Sequence, residues 1–422
     1  MMRSPKLLVW LAAFCLACTA DLVAADWPQF RGPGGQGRSD ETGLAVEWSP
    51  TKNIAWRIEV PGEGWSSPVV ADGKVVLTAA VRMPGHQGED RSLRALCYDA
   101  RSGESLWDVE VFEQKDAQVK PIHSKNSHAS PSPVVDGGQV FVHFGPQGTA
   151  ALAVADGKAL WRNADQKYDP RHGNGGSPIL VDDMLVFICD GLDVNFMVAL
   201  DRRTGRVKWR KPRPPVPNQL PRKFSFATPT AIQVGNRTQI ISPSTDQALS
   251  YDTAGRMLWR VRYTGYSVIP LPVYAKGLVF LSTGWDKPTL AAIKPDGRGD
   301  VSNTHVAWQT DRGTPHSASV LAVGDELYYV TDNGVASCVD VATGTQQWQH
   351  RLGGDYSASP VHADGKIYFC SEQGTTTVVA AETAYRELGR NDLRERTLAT
   401  PALADGAIFL RTEKALYRIA EP

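Results

Sequence analysis

The sequence predicts an all-β chain folded as an eight-bladed β-propeller of four-stranded antiparallel blades, with the last blade closed by an N-terminal strand. Three observations predict it. A phrase built from a small residue, a proline, a short strand, a tight turn and a second strand recurs eight times. A second phrase, a Gly-bearing turn leading into a strand with tryptophan, closes most of the copies. No stretch carries the helical period of apolar residues. Four strands in a unit of about 40 to 50 residues is the repeat of a propeller.

The first phrase reads GWSSPVVADGKVVLTAA from residue 64, ASPSPVVDGGQVFVHFG from 129, GGSPILVDDMLVFICD from 175 and FATPTAIQVGNRTQIIS from 226. It returns as IPLPVYAKGLVFLST from 269, HSASVLAVGDELYYVT from 316, SASPVHADGKIYFCSE from 357 and LATPALADGAIFLRTE from 398. Pro68, Pro133, Pro178, Pro229, Pro272, Pro360 and Pro401 open the strands, and Ser319 fills that slot in the sixth copy. Proline is tolerated there because a strand's first residue loses no ladder hydrogen bond. Asp72-Gly73, Asp136-Gly137, Asp364-Gly365 and Asp405-Gly406 are hairpin turn pairs, since Asp-Gly accepts the positive φ of a two-residue loop. The second strands, at 75–77, 140–144, 185–188, 240–241, 278–281, 327–330, 367–369 and 408–410, are unbroken apolar runs. Burial on both faces gives that pattern, and sheets stacked face to face around an axis provide it.

The second phrase ends at Trp107, Trp161, Trp209, Trp259 and Trp348, and at Trp308 after a longer turn. The eighth copy has no fourth strand, whereas NIAWRIEV at 53–60 is a Trp-bearing strand with no copy of its own. The segment 54–60 therefore completes the last blade and covers its edge. Trp56 and the six repeat tryptophans are assigned to blade docking, each burying a large apolar area against the neighbouring blade.

The organisation expected is a leader at 1–25, an N-terminal strap at 26–52 and the propeller at 53–422. The leader carries Arg3 and Lys6, an apolar run at 7–18 and Val23-Ala24-Ala25 before Asp26. That is a secretory signal with a small-x-small cleavage site, too short to span a membrane. It places the mature chain in the periplasm or outside the cell, with association to the outer membrane left open. Lipidation at Cys18 is not expected, because Cys15 stands where the lipobox has leucine.

The 45 basic and 45 acidic residues cancel, which points away from nucleic acid and anionic membranes as partners. Cys97, Cys189, Cys338 and Cys370 follow the leader without zinc or redox spacing. They read as small buried hydrophobes, with a Cys338 to Cys370 bridge left open.

The phrase ALDRRTGRVKW, from Ala199 to Trp209, matches the A-x-D-x-x-T-G-x-x-x-W signature of the pyrroloquinoline quinone (PQQ)-like repeat family, which 53–422 resembles. The seventh copy departs, with Leu388 near the tryptophan position. The resemblance implies either of two roles: quinone-dependent dehydrogenases, or BamB-like, non-enzymatic outer-membrane assembly factors. The dehydrogenases carry a disulfide between adjacent cysteines and a calcium site, and neither maps onto this chain. The opening DWPQFRGPGGQG also resembles the start of secreted propellers of planctomycete-type bacteria.

In a propeller the residues just before each innermost strand crowd one mouth of the central channel. That gathers Trp65, His123, His128, His172, Asn174, Phe226, Tyr266, His316 and Tyr356, a convergent polar and aromatic lining of the kind ligand sites use. No nucleophile elbow, HExxH or P-loop appears, so no catalytic, cofactor-binding or metal-binding residue is assigned. PQQ and calcium are open but unsupported. The loop at 211–223 is basic and proline-rich, and 81–94 reads as a loop insertion.

The function expected is that of an exported, non-catalytic, BamB-like scaffold that binds envelope proteins, and the chain is expected to be a monomer without a transmembrane span. The alternatives are a quinone-dependent oxidoreductase with a degenerate site, and a small-molecule or glycan binder at the channel mouth. Gly32, Gly34 and Gly37 match G-x-G-x-x-G. A dinucleotide loop must follow a strand and open a helix, so this stretch is instead read as a turn-rich strap anchored by Trp27 and Phe30.

Overall fold

The computed structural model describes residues 26–83, 89–118, 122–216, 224–285 and 287–421. The leader lies outside them, as do 84–88 of the first insertion and 217–223 of the basic loop. Among the described residues the only helical turns are three short 3-10 segments. The strands form eight sheets, each built on four antiparallel strands that run outward from an innermost strand, in chain order except at the outer edges of blades 4 and 8. The innermost strands of blades 1 to 8 are Val69–Ala71, Val134–Asp136, Ile179–Val181, Thr230–Val234, Val273–Ala275, Leu321–Val323, Val361–Ala363 and Ala402–Ala404.

Strand exchange between the two ends of the chain closes the ring. The N-terminal strand Ile54–Glu59 pairs with Ala415–Ile419 as the outermost strand of blade 8, whose innermost strand lies against that of blade 1. Blade 4 departs from four strands. The longer turn before Trp308 supplies Gly299–Asp300, which pairs in parallel with Met257–Arg262. The Asp300 carboxylate also meets Arg260 and Arg262 at 3.2 and 3.0 Å, so this blade's outer edge is covered.

The core consists of layers between blades. Second strands such as Met184–Asp190 and Ala407–Arg411 are buried along their whole length, because each face meets a neighbouring sheet. One layer joins Val69, Val76, Cys97 and Trp107 of blade 1 to Val135, Val140 and Leu152 of blade 2.

Each repeat tryptophan locks its blade to the next by donating its indole N–H to a carbonyl there. Trp56 reaches Ala100 O at 3.2 Å, Trp107 reaches Val154 O at 2.8 Å, and Trp161 reaches Arg202 O at 2.8 Å. Trp209, Trp259, Trp308 and Trp348 do the same with Thr253, Pro295, Val341 and Glu382. The D-x-x-T-G phrase builds the receiving turn. Asp201 Oδ1 accepts from the Thr204 amide and hydroxyl, both at 2.9 Å, and this hydroxyl holds the Asp201 carboxyl below its ordinary pKa. Gly205 follows at φ 68° with the Trp161 ring beneath it; a Cβ there would lie 2.5 Å from Trp161 Cε3. Glycine is therefore required both by the positive φ and by the ring.

Blade 7 lacks its own tryptophan, and the strap supplies one. Trp48 is buried in the layer between blades 7 and 8, with its ring 6.4 Å from Tyr368 and its backbone N–H donating to Asn391 Oδ1 at 2.7 Å. Leu388 packs at the edge of the same layer.

Cys97, Cys189, Cys338 and Cys370 are free and buried, in line with their reading as small buried hydrophobes, and the bridge left open between Cys338 and Cys370 is not formed. One expectation is corrected. Ser319 does not fill the proline slot. Its hydroxyl occupies the position of Ser359, so Val320 stands where the other copies have proline.

Candidate functional site

The residue before every repeat proline except Pro272 is Ser or Thr, because it builds a belt around the axis. The backbone N–H of Ser67 donates to Ser132 Oγ, that of Ser132 to Ser177 Oγ, and that of Ser177 to Thr228 Oγ1, each at 2.9 Å. Leu271 donates to Ser319 Oγ and Ser319 to Ser359 Oγ at 2.9 Å, and Ser359 donates to Thr400 Oγ1 at 3.0 Å. The belt lapses where Leu271 has no hydroxyl to offer blade 4. Each of these oxygens already accepts an amide, and among the described residues none of the six hydroxyls donates to a protein acceptor. Their protons are free for the lumen.

The strap closes the channel below this belt. Trp27 exchanges two hydrogen bonds with Val70, at 2.7 and 2.9 Å, and Pro28 O accepts from Val135 N at 2.8 Å. Gln36 Oε1 accepts from Tyr274 N at 3.1 Å. Gly37 and Ser39 bracket His362, and Ser39 Oγ donates to Leu403 O at 3.0 Å. The partners lie on the innermost strands of blades 1, 2, 5, 7 and 8, so the segment crosses the channel and satisfies backbone groups that face the axis. Arg31 is fully buried in this plug and donates to Val320 O at 2.8 Å. Burial without a carboxylate partner pushes its pKa down to about 9. The segment then runs outward between blades 7 and 8 to become the closing strand.

Above the belt a funnel of about 610 Å3 opens on one face of the ring, with Phe30 of the strap among its lining residues. Its wall divides into two arcs. Along blades 2 to 5 aromatic rings follow one another: His123 to His172 at 5.6 Å, His172 to Phe224 at 5.6 Å, Phe224 to Phe226 at 5.7 Å and Phe224 to Tyr266 at 5.8 Å. Trp285 continues the arc, 5.3 Å from His316. It is 55 % exposed, and Ile269 beside it is 40 % exposed. The arc across blades 6 and 7 is polar, formed by Asp332, Asn333, Asp355 and Ser357.

Residues 122–128 cross between the arcs. Lys125, from blade 2, places Nζ 2.9 Å from Glu372 Oε1 and 3.5 Å from Asp332 Oδ2 on blades 7 and 6. Burial opposes its charge, but the two carboxylates outweigh burial and hold its pKa above the ordinary value. Arg396 donates to Ser124 O at 3.0 Å and lies over the Trp65 ring at 5.4 Å. Asp332 is fixed in turn by the amides of His316 and Ser317, at 3.2 and 3.1 Å, and by the Ser317 hydroxyl at 2.8 Å. Burial, then His123 and Arg171, lower the pKa of His172.

Of the nine residues expected at the mouth, Trp65, His123, His172, Phe226, Tyr266 and His316 line the funnel. Three do not. His128 packs near Arg91 and Glu89, where burial and then Arg91 push its pKa down to about 4. Asn174 turns to Tyr168, whose hydroxyl donates to Oδ1 at 2.6 Å. Tyr356 is in the core between blades 6 and 7. The sequence reading missed Phe224, Lys125, Trp285, Asp332 and Asp355. The turn between the second and third strands of a blade opens on the same face as the connection entering its first strand, and Trp285 and Asp332 lie in such turns. Scanning both connections would have found these two.

The chain matches the family model described as outer membrane protein assembly factor BamB over residues 38–122, 90–220 and 222–420. No curated protein matches the sequence. Among solved structures it is similar to BamB from Moraxella catarrhalis, at 13 % identity and a TM-score of 0.61, over 86 % of this chain and 96 % of that one. It is also similar to a europium-containing methanol dehydrogenase, at 11 % identity and a TM-score of 0.66, over 93 % and 90 % of the two chains. A third likeness is to the computationally designed Ika8 protein, at 11 % identity and a TM-score of 0.58, over 90 % and 100 %. At these identities the likeness is one of fold, and an assembly factor, an enzyme and a design share it.

Proposed function

The chain belongs to the family described as outer membrane protein assembly factor BamB, and on that premise we propose that it is an exported, non-catalytic binding propeller of the cell envelope. Its recognition face is the funnel side of the ring. The observation that carries this reading is the funnel itself, a recess floored by the strap and rimmed by exposed Trp285 and Ile269. Large exposed apolar groups around a concave site mark protein contacts, and tryptophan is the side chain that most often anchors them.

The residues present do not fit the calcium-held quinone of the dehydrogenases that share the fold. The funnel carboxylate Asp332 and its neighbour Glu372 are engaged by Lys125. Among the described residues no three His, Cys, Asp or Glu side chains are grouped to hold a metal. The four cysteines of the described residues lie in blades 1, 3, 6 and 7, and no two of them are adjacent in the chain.

The test is crosslinked affinity capture from envelope extract, comparing the wild-type chain with an Ile269→Asp, Trp285→Arg double variant. The reading expects a discrete partner that the variant loses while its far-UV spectrum is unchanged. A partner held equally by both would place recognition elsewhere on the ring.

A further inference from the structure

We propose that the interior of the funnel is a binding site for a neutral oligosaccharide. This goes beyond the protein-docking reading, with which it shares Trp285 at the rim.

Charge narrows the ligand class first. Asp332, Asp355 and Glu372 stand along one arc, which opposes a carboxylate, sulfate or phosphate ligand. Lys125 and Arg396 cross the entrance from blades 2 and 8, which opposes a compact cation. A wholly apolar ligand would strip water from the belt hydroxyls and from Asp355 without replacing their hydrogen bonds, and unreplaced hydrogen bonds are costly. A neutral ligand rich in hydroxyl groups meets none of these objections.

The two arcs match the two sides of a sugar ring. A pyranose has an apolar C–H face and a perimeter of hydroxyls, each both donor and acceptor. Exposed Trp285 and the partly exposed rings of Tyr266 and Phe226 offer apolar surface for the first, with buried Phe224 packed behind them. For the perimeter, the belt hydroxyls of Ser132, Ser177, Thr228, Ser319, Ser359 and Thr400 can donate, because among the described residues each accepts an amide and donates to no protein acceptor. Asp355 and Asn333 supply acceptors opposite the aromatic arc. A volume of about 610 Å3 falls within the range of small-ligand sites and has room for more than one sugar ring.

The experiment exposes the mature chain to an array of neutral, uronic-acid and amino-sugar oligosaccharides. The best neutral trisaccharide is then titrated by calorimetry into the wild type, Trp285→Ala and Asp355→Asn. Trp285 is largely exposed, so its removal leaves the fold intact, and Asp355→Asn keeps the shape of the side chain. The proposal expects neutral sugars to bind in preference to charged ones, with affinity falling at least tenfold in Trp285→Ala and severalfold in Asp355→Asn. Absence of neutral-sugar binding at millimolar concentration, stronger binding of charged sugars, or unchanged affinity in both variants would each overturn it. A captured protein partner without sugar binding overturns this proposal alone, and sugar binding without a partner overturns only the docking reading.

Discussion

Replacing Trp27 by alanine tests whether the strap is an integral part of the ring. Trp27 is fully buried, and its ring lies under Gly32, where a Cβ would come within 2.5 Å of it. A buried tryptophan hides roughly 200 Å2, worth about 5 kcal/mol at ~25 cal/mol per Å2, and large-to-small core changes of this kind cost about 3–5 kcal/mol. One term runs the other way. The indole Nε1 is buried without a hydrogen-bond partner, so removing it returns roughly 1–2 kcal/mol. The backbone pair with Val70 survives the substitution. The net expectation is a loss of about 3 kcal/mol, read from urea unfolding of the chain from Asp26 onward followed by circular dichroism. Trp27→Phe sharpens the test, since it keeps most of the apolar area and removes the unpaired N–H. It should lie within about 1 kcal/mol of wild type. A loss below about 1 kcal/mol in Trp27→Ala, or an equal loss in Trp27→Phe, would refute this account of the plug.

Three further outcomes follow from the same geometry. Ser132→Ala removes the acceptor of the Ser67 N–H and should cost about 1–3 kcal/mol in the same unfolding assay, whereas Ser132→Thr should retain most of the stability. His143 is fully buried, and burial pushes its pKa down to about 3 from 6.5. The unfolded chain takes up a proton that the native state refuses, so this contribution to stability is complete above pH 6.5 and is lost as the pH falls from there towards 3. Stability measured at half-unit intervals from pH 7 to pH 4.5 should fall less steeply in His143→Gln, by up to about 1.4 kcal/mol per pH unit; parallel curves would contradict the assignment. Lys125→Ala releases the crossing segment at a cost below about 1 kcal/mol, because the pair is partly solvated. Hydrogen exchange should therefore accelerate at 122–128 and remain unchanged in the second strands.

The ring was legible because its signals are local and repeated. A proline at the start of a strand, an Asp-Gly turn, a doubly buried apolar strand and a Gly-to-Trp phrase each have a physical cause within a few residues, and eight copies make the pattern secure. The unmatched strand at 53–60 was legible for the complementary reason, since the last repeat lacks what it supplies. The path of the strap was not. Trp27 and Phe30 announce burial, but the innermost strand edges that bind the strap lie on several blades at once, and no local pattern states which cavity a segment enters. The role of the small residue before each proline was hidden in the same way. Its partner is the same position one blade further on, a relation visible only after the ring has closed. The funnel was read in part, through the residues that precede the innermost strands. Lys125 escaped because its significance depends on Glu372, which reaches it from the far side of the mouth.

The central claim is that the funnel face is the recognition surface, and site-specific photo-crosslinking in intact cells tests it most directly. A photoreactive side chain would be placed in turn at Trp285 and Ile269 on the rim, and at Leu160, an exposed residue on the outermost strand of blade 2. The account predicts a discrete adduct from both rim positions and none from Leu160. An adduct from Leu160 with the rim silent would contradict it.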